Sequence, residues 1–404
     1  MLCQFSVKNY QCIKDELTLD MQATSISENL DSVIRDRDGE EFLPLCVIYG
    51  PNGGGKSTVL HALHSLAGKL LRPICAVSCE NKDCMKAESK RSIEPFLFSK
   101  ETQKQPTEFE IFIRTNQYEY QYKLALSRDI VISESLFRKA IKKDGRYVSQ
   151  FERKGSTIVL HGSLKQYDVS GLSSNLPLLS YFGITHRKNA MVKDVTSWFD
   201  TNLIVINYGS PEEDARIAVS VEPKIKAFVL KMLAEMDIDI ADYRTEEHEK
   251  RLNIFTKHRV NGNEYELPFA AESNGSIKIF GMLPYIAESL LYGRTLVIDE
   301  LDAKLHPILL QYIIRLYNDR SINKHNAQLI FTSHDLTTMN SKNFRRDEIW
   351  FIAKGNDQSS KMYSLVEFKE RKDAKYNKQY ILGKYGADPY LKRIINWEEV
   401  ENAQ

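Results

Sequence analysis

The residues able to do chemistry fall in short, separated stretches. The first is Gly50-Pro51-Asn52-Gly53-Gly54-Gly55-Lys56-Ser57-Thr58, which reads G-x-x-x-x-G-K-S, the pattern of a phosphate-binding loop. Its glycines let backbone N–H groups wrap closely around an anion, and the following helix N-terminus adds positive potential. Lys56 reaches the β- and γ-phosphates, and the Ser57 hydroxyl takes a place on magnesium. Asn52, Gly53, Gly54, Gly55, Lys56, Ser57 and Thr58 are therefore the expected nucleotide-cradling residues. The second stretch is Asp299-Glu300, at the end of the apolar run Thr295-Leu296-Val297-Ile298. An acid there can hold magnesium through water, which is the role expected of Asp299. Glu300 beside it is placed to polarise an attacking water as a general base. The third is Ser333-His334-Asp335, after the apolar run Gln328 to Thr332, where His334 can hydrogen-bond a γ-phosphate. Together Lys56, Glu300 and His334 form a catalytic set for magnesium-dependent transfer of a phosphoryl group to water, with Ser57 and Asp299 on the metal.

A fourth stretch, Glu272-Ser273-Asn274-Gly275-Ser276, precedes a helical apolar pattern through Ile279, Met282, Leu283 and Ile286. A serine–glycine turn at a helix N-terminus makes Ser273, Gly275 and Ser276 a second anion site. One chain does not easily bring two such sites onto the same phosphate. A head-to-tail pair, each site completed by the partner, is the simplest arrangement.

These stretches need strands and helices to hold them. Leu45-Cys46-Val47-Ile48-Tyr49 is a strand-type run before the loop, and Val59, Leu63, Leu66 and Leu70 follow at helical spacing until the pattern fades near Pro73. Residues 1–71 therefore read as the first part of an α/β head. Residues 72–265 read as a mixed insertion of strands and helices. Within it Glu108–Ile113 and Gln117–Tyr122 alternate with period two around Thr115-Asn116, and Asn261-Gly262 marks a hairpin. Arg138 to Lys154 is rich in Lys and Arg, as a solvated hairpin face or a patch for a nucleic acid or an acidic protein would be. Residues 266–368 resume the head, and 369–404 read as a charged tail. Net charge is +1 over 404 residues, so no general affinity for nucleic acid follows from charge. No apolar run is long enough to cross a membrane, and no signal segment opens the chain, so a cytoplasmic location is expected. Cys75, Cys79 and Cys84 follow His61 and His64 at spacings that match no standard zinc pattern, so loop and packing roles are expected.

In this order the motifs resemble the ABC-type ATPase head, the family shared by transporter nucleotide-binding domains, SMC proteins and OLD-type nucleases. Within it they are most similar to stand-alone bacterial ATPases of abortive-infection and antiphage systems, the ATPase subunits of PARIS systems among them. The resemblance also rests on Lys8-Asn9-Tyr10, Pro95-Phe96, Leu301-Asp302, Leu305-His306-Pro307, Arg345-Arg346-Asp347 and Tyr380-Ile381-Leu382-Gly383-Lys384-Tyr385-Gly386. It implies an α/β P-loop NTPase with an ABC-type ATPase head and a mixed α+β insertion. ATP and Mg2+ are the implied cofactors. Ser273-Asn274-Gly275-Ser276 corresponds to the signature motif, Leu301-Asp302 to the D-loop and His334 to the switch histidine. The implied activity is slow ATP hydrolysis by a homodimer, or higher homo-oligomer, paired through its heads. Such a switch would control a separate effector, a nuclease or toxin. Nucleic acid is a further candidate partner, and no membrane is implied. The signature is not the transporter LSGGQ. Gln103 and Gln105 both lie where a Q-loop glutamine would fall, and no aromatic residue is singled out for adenine. An SMC-like repair ATPase would need a long coiled coil, and the insertion has no sustained heptads. An ATP-locked scaffold with little turnover is the remaining alternative.

Overall fold

The computed structural model describes residues 1–78, 93–206, 222–248, 251–371 and 374–387. The chain opens with β1 (Leu2–Lys8) and β2 (Leu17–Asp20) and a short hairpin of β3 (Ile34–Arg35) and β4 (Glu41–Phe42). Strand β5 (Leu45–Tyr49) then delivers it to the phosphate loop and to α1 (Lys56–Ser78). Five antiparallel strands follow: β6 (Thr107–Arg114), β7 (Tyr118–Ser127), β8 (Ile130–Ala140), β9 (Val148–Lys154) and β10 (Thr157–Leu160). Helices α2 (Leu178–Thr185) and α3 (Ala190–Ser197) lead to β11 (Leu203–Ile206) and, further on, to α4 (Pro223–Glu235). A three-stranded sheet of β12 (Asp242–His248), β13 (Arg251–Val260) and β14 (Asn263–Pro268) precedes α5 (Asn274–Tyr292). The chain continues through β15 (Thr295–Ile298), α6 (Pro307–Asn318), β16 (Gln328–Thr332), β17 (Ile349–Lys354) and β18 (Ser360–Ser364) to α7 (Tyr376–Ile381).

The site hangs on a six-stranded sheet of order β11-β15-β16-β5-β17-β18, parallel except where β18 pairs with β17. All five residues of β5 are buried, because both of its faces are covered. Cys46 and Ile48 share one core with Leu60, Leu63 and Leu66 of α1 and with Phe5 and Ile111 of a second sheet. Leu45, Val47 and Tyr49 share the other with Leu283 and Ile286 of α5 and Leu310 and Ile313 of α6. Helix α1 thus has an apolar side against each of two layers, and full burial of each such leucine contributes about 1.5–3 kcal/mol. The second sheet is antiparallel and seven-stranded, of order β10-β9-β8-β7-β6-β1-β2.

The expected insertion over 72–265 is not one body. Strands β6 to β10 extend the sheet begun by β1 and β2, with Phe5 opposite Ile111, and β11 is an edge strand of the parallel sheet beside β15. Among the described strands of 72–265, only β12, β13 and β14 keep a sheet of their own. Helix α1 does not stop near Pro73 but runs on to Ser78. Proline removes one helix bond there, while packing holds the last turns: a Cβ at Gly183 of α2 would lie 2.4 Å from Ile74 Cδ1. The basic stretch is partly spent inside the molecule. Arg138 lies 4.3 Å over the Tyr118 ring. Lys139 pairs with Glu119 at 3.1 Å and Glu40 at 3.4 Å. Buried Arg153 donates to the Leu176 carbonyl at 2.7 Å. Lys142, Lys143, Arg146 and Lys154 stay exposed.

The segment expected as a charged tail is partly core. Tyr376, Tyr380 and Tyr385 are buried, and Phe351 of β17 stacks on Tyr385 at 4.8 Å and on Tyr380 at 5.6 Å. Residues 388–404 lie outside the described residues, as do Cys79 and Cys84. Among the described residues no three His, Cys, Asp or Glu side chains form a metal-holding group, and no helix is long and apolar enough to cross a membrane.

Candidate nucleotide site

The phosphate loop leaves the C-terminal end of β5 and is closed from outside by distant chain. A Cβ at Gly55, whose φ is +108°, would lie 2.4 Å from Ser360 Oγ and 2.9 Å from Cys12 Sγ. Only glycine accepts both the dihedral and the crowding. The Ser360 hydroxyl donates to the Gly54 carbonyl at 2.6 Å, and the Cys12 thiol sits 3.3 Å from Thr58 Oγ1. Lys56 is buried at the first turn of α1, and its ammonium donates to the carbonyls of Gly50 at 2.8 Å and Pro51 at 3.1 Å. Burial lowers its pKa, while the charges of Asp299, Glu300 and Asp302 pull it back up. The acidic strand end therefore acts electrostatically on the loop's lysine.

That neighbourhood follows from strand order. Asp299 and Glu300 end β15, and β16 lies between β15 and β5. At the end of β16, Thr332 donates its hydroxyl to Asp299 Oδ1 at 2.6 Å and accepts the Glu300 backbone N–H at 2.7 Å. The next residue, Ser333, bonds its N–H to the Ile48 carbonyl of β5 at 3.1 Å. Glu300 is exposed and has a left-handed φ of +50°. His334 is exposed, and its backbone N–H donates to Asp302 Oδ2 at 3.1 Å. The other oxygen, Asp302 Oδ1, is buried without a hydrogen-bond partner among the described residues.

The serine–glycine turn opens α5, beside the turn that follows Glu300. Ser273 caps α5, accepting the Ser276 N–H at 3.1 Å, with the Ser276 hydroxyl 2.9 Å away. Gly275 is open: a Cβ there meets only Lys304 O and Ser273 Oγ, both at 3.8 Å. Among the described residues no hydrogen bond or ion pair joins Ser273, Gly275 or Ser276 to the phosphate loop of the same chain. Neither candidate Q-loop glutamine bonds to that loop. The Gln103 amide donates to the Leu97 carbonyl at 2.7 Å, and the Gln105 amide to Glu101 at 3.4 Å.

Sequence reasoning missed Thr332, Ser360 and Lys278. Lys278 lies in α5 between Ile277 and Ile279, and its ammonium donates to the carbonyls of Glu300 at 2.9 Å and of Ala303. The signal was available: a lysine inside an apolar helical pattern is out of place unless it is paired.

The donor set suits a nucleotide carried with magnesium. Mg2+ keeps few protein ligands and takes phosphate oxygens for the rest. One hydroxyl at Ser57 and one carboxylate at Asp299 fit that better than an all-protein cage would.

Fold and site together define a P-loop NTPase. The family model described as "AAA domain, putative AbiEii toxin, Type IV TA system" matches residues 45–340, and the chain belongs to that family. No curated protein matches it. Among solved structures it is similar to an SMC head bound to the C-terminal winged-helix domain of ScpA. The identity is 14% and the TM-score 0.48, with 90% of this chain and 97% of that one covered. It is also similar to the SMC head domain from Thermotoga maritima, at 15% identity and TM-score 0.41 over 90% of this chain and 98% of that one. A third is the Pyrococcus furiosus SMC head with an extended coiled coil, bound to the C-terminal domain of ScpA. There the identity is 13% and the TM-score 0.45, over 95% of this chain and 99% of that one.

Proposed function

We propose that this chain hydrolyses ATP slowly and uses the nucleotide to pair two heads, as a switch that controls a separate effector in bacterial antiphage defence. The observation that carries the reading is that β16 ties the Asp299-Glu300 strand end, through Thr332, to β5, through the Ser333 N–H and the Ile48 carbonyl, beside the phosphate loop and its buried Lys56. In this reading the phosphate-loop amides and Lys56 bind and orient the phosphates. Ser57 and Asp299 would hold magnesium, which when bound neutralises phosphate charge. Glu300 takes the proton from water. His334 hydrogen-bonds the terminal phosphate. Ser273, Gly275 and Ser276 complete the partner's site, which fits the exposure of Ser273, the half-burial of Gly275 and Ser276, and their lack of bonds to their own phosphate loop. The words "putative AbiEii toxin, Type IV TA system" in the family's description support a place in a defence system. The described helices between 79 and 265 span 8, 8 and 13 residues, too short for the coiled coil of an SMC-type repair ATPase. The protein would work in the cytoplasm.

The test is turnover together with retention of the neighbouring gene product. Wild type, Lys56→Ala and Glu300→Gln are compared for ATP hydrolysis and for co-purification. Hydrolysis by wild type alone, with effector retention that differs between the two variants, is the expected result. Equal retention by all three would favour the ATP-locked scaffold.

A further inference from the structure

The signature helix and the acidic strand end meet at one side chain. Lys278 is 3% exposed, and its neighbours in α5, Ile277, Ile279 and Phe280, are buried apolar residues. An ammonium in such a place is costly unless its protons are used. The Glu300 and Ala303 carbonyls use two of them. The side-chain charges of Asp302 and Glu300 favour it, and Lys304 opposes it. Burial outweighs these and pulls its pKa down to about 8. A buried charge is weak evidence for stability, since an apolar side chain of similar size often does as well. Its value has to be sought in what it holds.

It holds a strained turn. From Asp299 the chain reverses through Glu300 at φ +50° and Lys304 at φ +60°, two non-glycine residues in the left-handed region. Within the turn Ala303 N–H bonds to the Glu300 carbonyl and Leu305 N–H to the Asp302 carbonyl. The Lys278 ammonium bridges the carbonyls of Glu300 and Ala303 from the side of α5. The direction of the Glu300 side chain depends on this backbone. Left-handed residues persist where surroundings over-determine them, and such strain clusters at working sites. Helix α5 begins at Ser273, the residue read as contacting the partner's nucleotide, and Lys278 lies little more than one turn further along.

We infer that Lys278 is a positioning residue: it fixes the Glu300 backbone and links it to the signature helix, so that head pairing at Ser273 to Ser276 sets the general base. This rests on the role given to Glu300 above. ATP binding at Lys56 does not require it; orientation of Glu300 does. A misplacement of about 1 Å at a reacting group costs up to about a hundredfold in rate.

The experiment measures kcat and KM for ATP hydrolysis, affinity for a fluorescent non-hydrolysable ATP analogue, and Tm. The proteins are full-length wild type, Lys278→Met, Lys278→Arg, Lys278→Gln and Glu300→Gln. Lys278→Met keeps length and removes the donors. Its kcat is expected to fall about ten- to a hundredfold, with analogue affinity within about threefold and Tm at pH 7 not lowered. Lys278→Arg, which keeps charge and donors, is expected to recover part of kcat. Wild-type kcat in Lys278→Met, beside a dead Glu300→Gln, would overturn the proposal and leave the role of Glu300 standing. Full turnover in Glu300→Gln would instead remove the reading on which it rests. If Lys278→Met does not fold, Lys278→Gln and Lys278→Arg decide. Loss of kcat, analogue affinity and Tm together in both would mark Lys278 as structural and overturn the proposal.

Discussion

Thr332 and Asp299 share a hydrogen bond of 2.6 Å, and the same threonine oxygen accepts the Glu300 backbone N–H at 2.7 Å. One hydroxyl at the end of β16 therefore orients the two acids at the end of β15. Its proton goes to Asp299, which leaves a lone pair for Glu300 and fixes the direction of both bonds.

Thr332→Val keeps the shape of the side chain and removes this bridge. It leaves the Glu300 N–H without that acceptor and Asp299 free to rotate. Turnover should fall about tenfold or more, and stability by about 0.5–1.5 kcal/mol for the lost, partly buried hydrogen bonds. Steady-state kinetics and denaturant unfolding measure the two effects. Unchanged kcat would mean that Asp299 and Glu300 are oriented by other contacts.

Lys56→Ala and Glu300→Gln should separate binding from chemistry. Without Lys56 the backbone amides alone face the phosphate charge, so analogue affinity should be lost or nearly so. Glu300→Gln keeps shape and hydrogen bonding but has no base, so ATP should bind, persist and accumulate the paired form. The loss of rate should be about a hundredfold or more. Filter binding, phosphate release and sedimentation read the three quantities. Undiminished affinity in Lys56→Ala would remove the phosphate-loop assignment.

Mixed pairs should show that the serine–glycine turn acts on the partner. Gly275 has room for a side chain within its own subunit, so Gly275→Arg should disturb only what approaches from outside. Mixing Lys56→Ala with Gly275→Arg puts both defects in one site of a mixed pair and leaves the other intact. Random pairing should restore about a quarter of wild-type sites. If mixed pairs form and no activity returns, the heads do not complete one another's sites.

Lys278 makes stability depend on pH in a stated direction. Its folded pKa of about 8 lies below the ordinary lysine value of 10.5. Between those values the unfolded chain binds the proton and the folded chain does not, so stability rises with pH across that window. Below about 8 the full cost of the buried charge is present. Tm of Lys278→Met relative to wild type should therefore be highest near pH 7 and decline towards about pH 10. A difference that does not change with pH would mean that the ammonium carries no burial cost.

The phosphate loop was legible because its residues are contiguous and each contributes through backbone or through a fixed offset. Asp299, Glu300 and His334 stood out in the sequence because they follow buried apolar strands within two residues. The division of 72–265 was not, since the pairing of Phe5 with Ile111 joins residues far apart in sequence and no local pattern announces a partner strand. The tyrosines at 376, 380 and 385 sit among charged residues, which masked their burial against Phe351. Lys278 and Thr332 act through backbone groups of other segments. Such roles appear only when the segments are brought together.

The Ser360 hydroxyl that closes over Gly54 and Gly55 has a consequence for the growing chain. A nascent polypeptide carries its phosphate loop from residue 58 onward and its acidic strand end from residue 300, yet the brace that crowds Gly55 is synthesised only at residue 360. During translation the loop has its glycines but not its lid. The finished geometry of the phosphate loop is thus reached only once β18 has been made and Ser360 can close on Gly54.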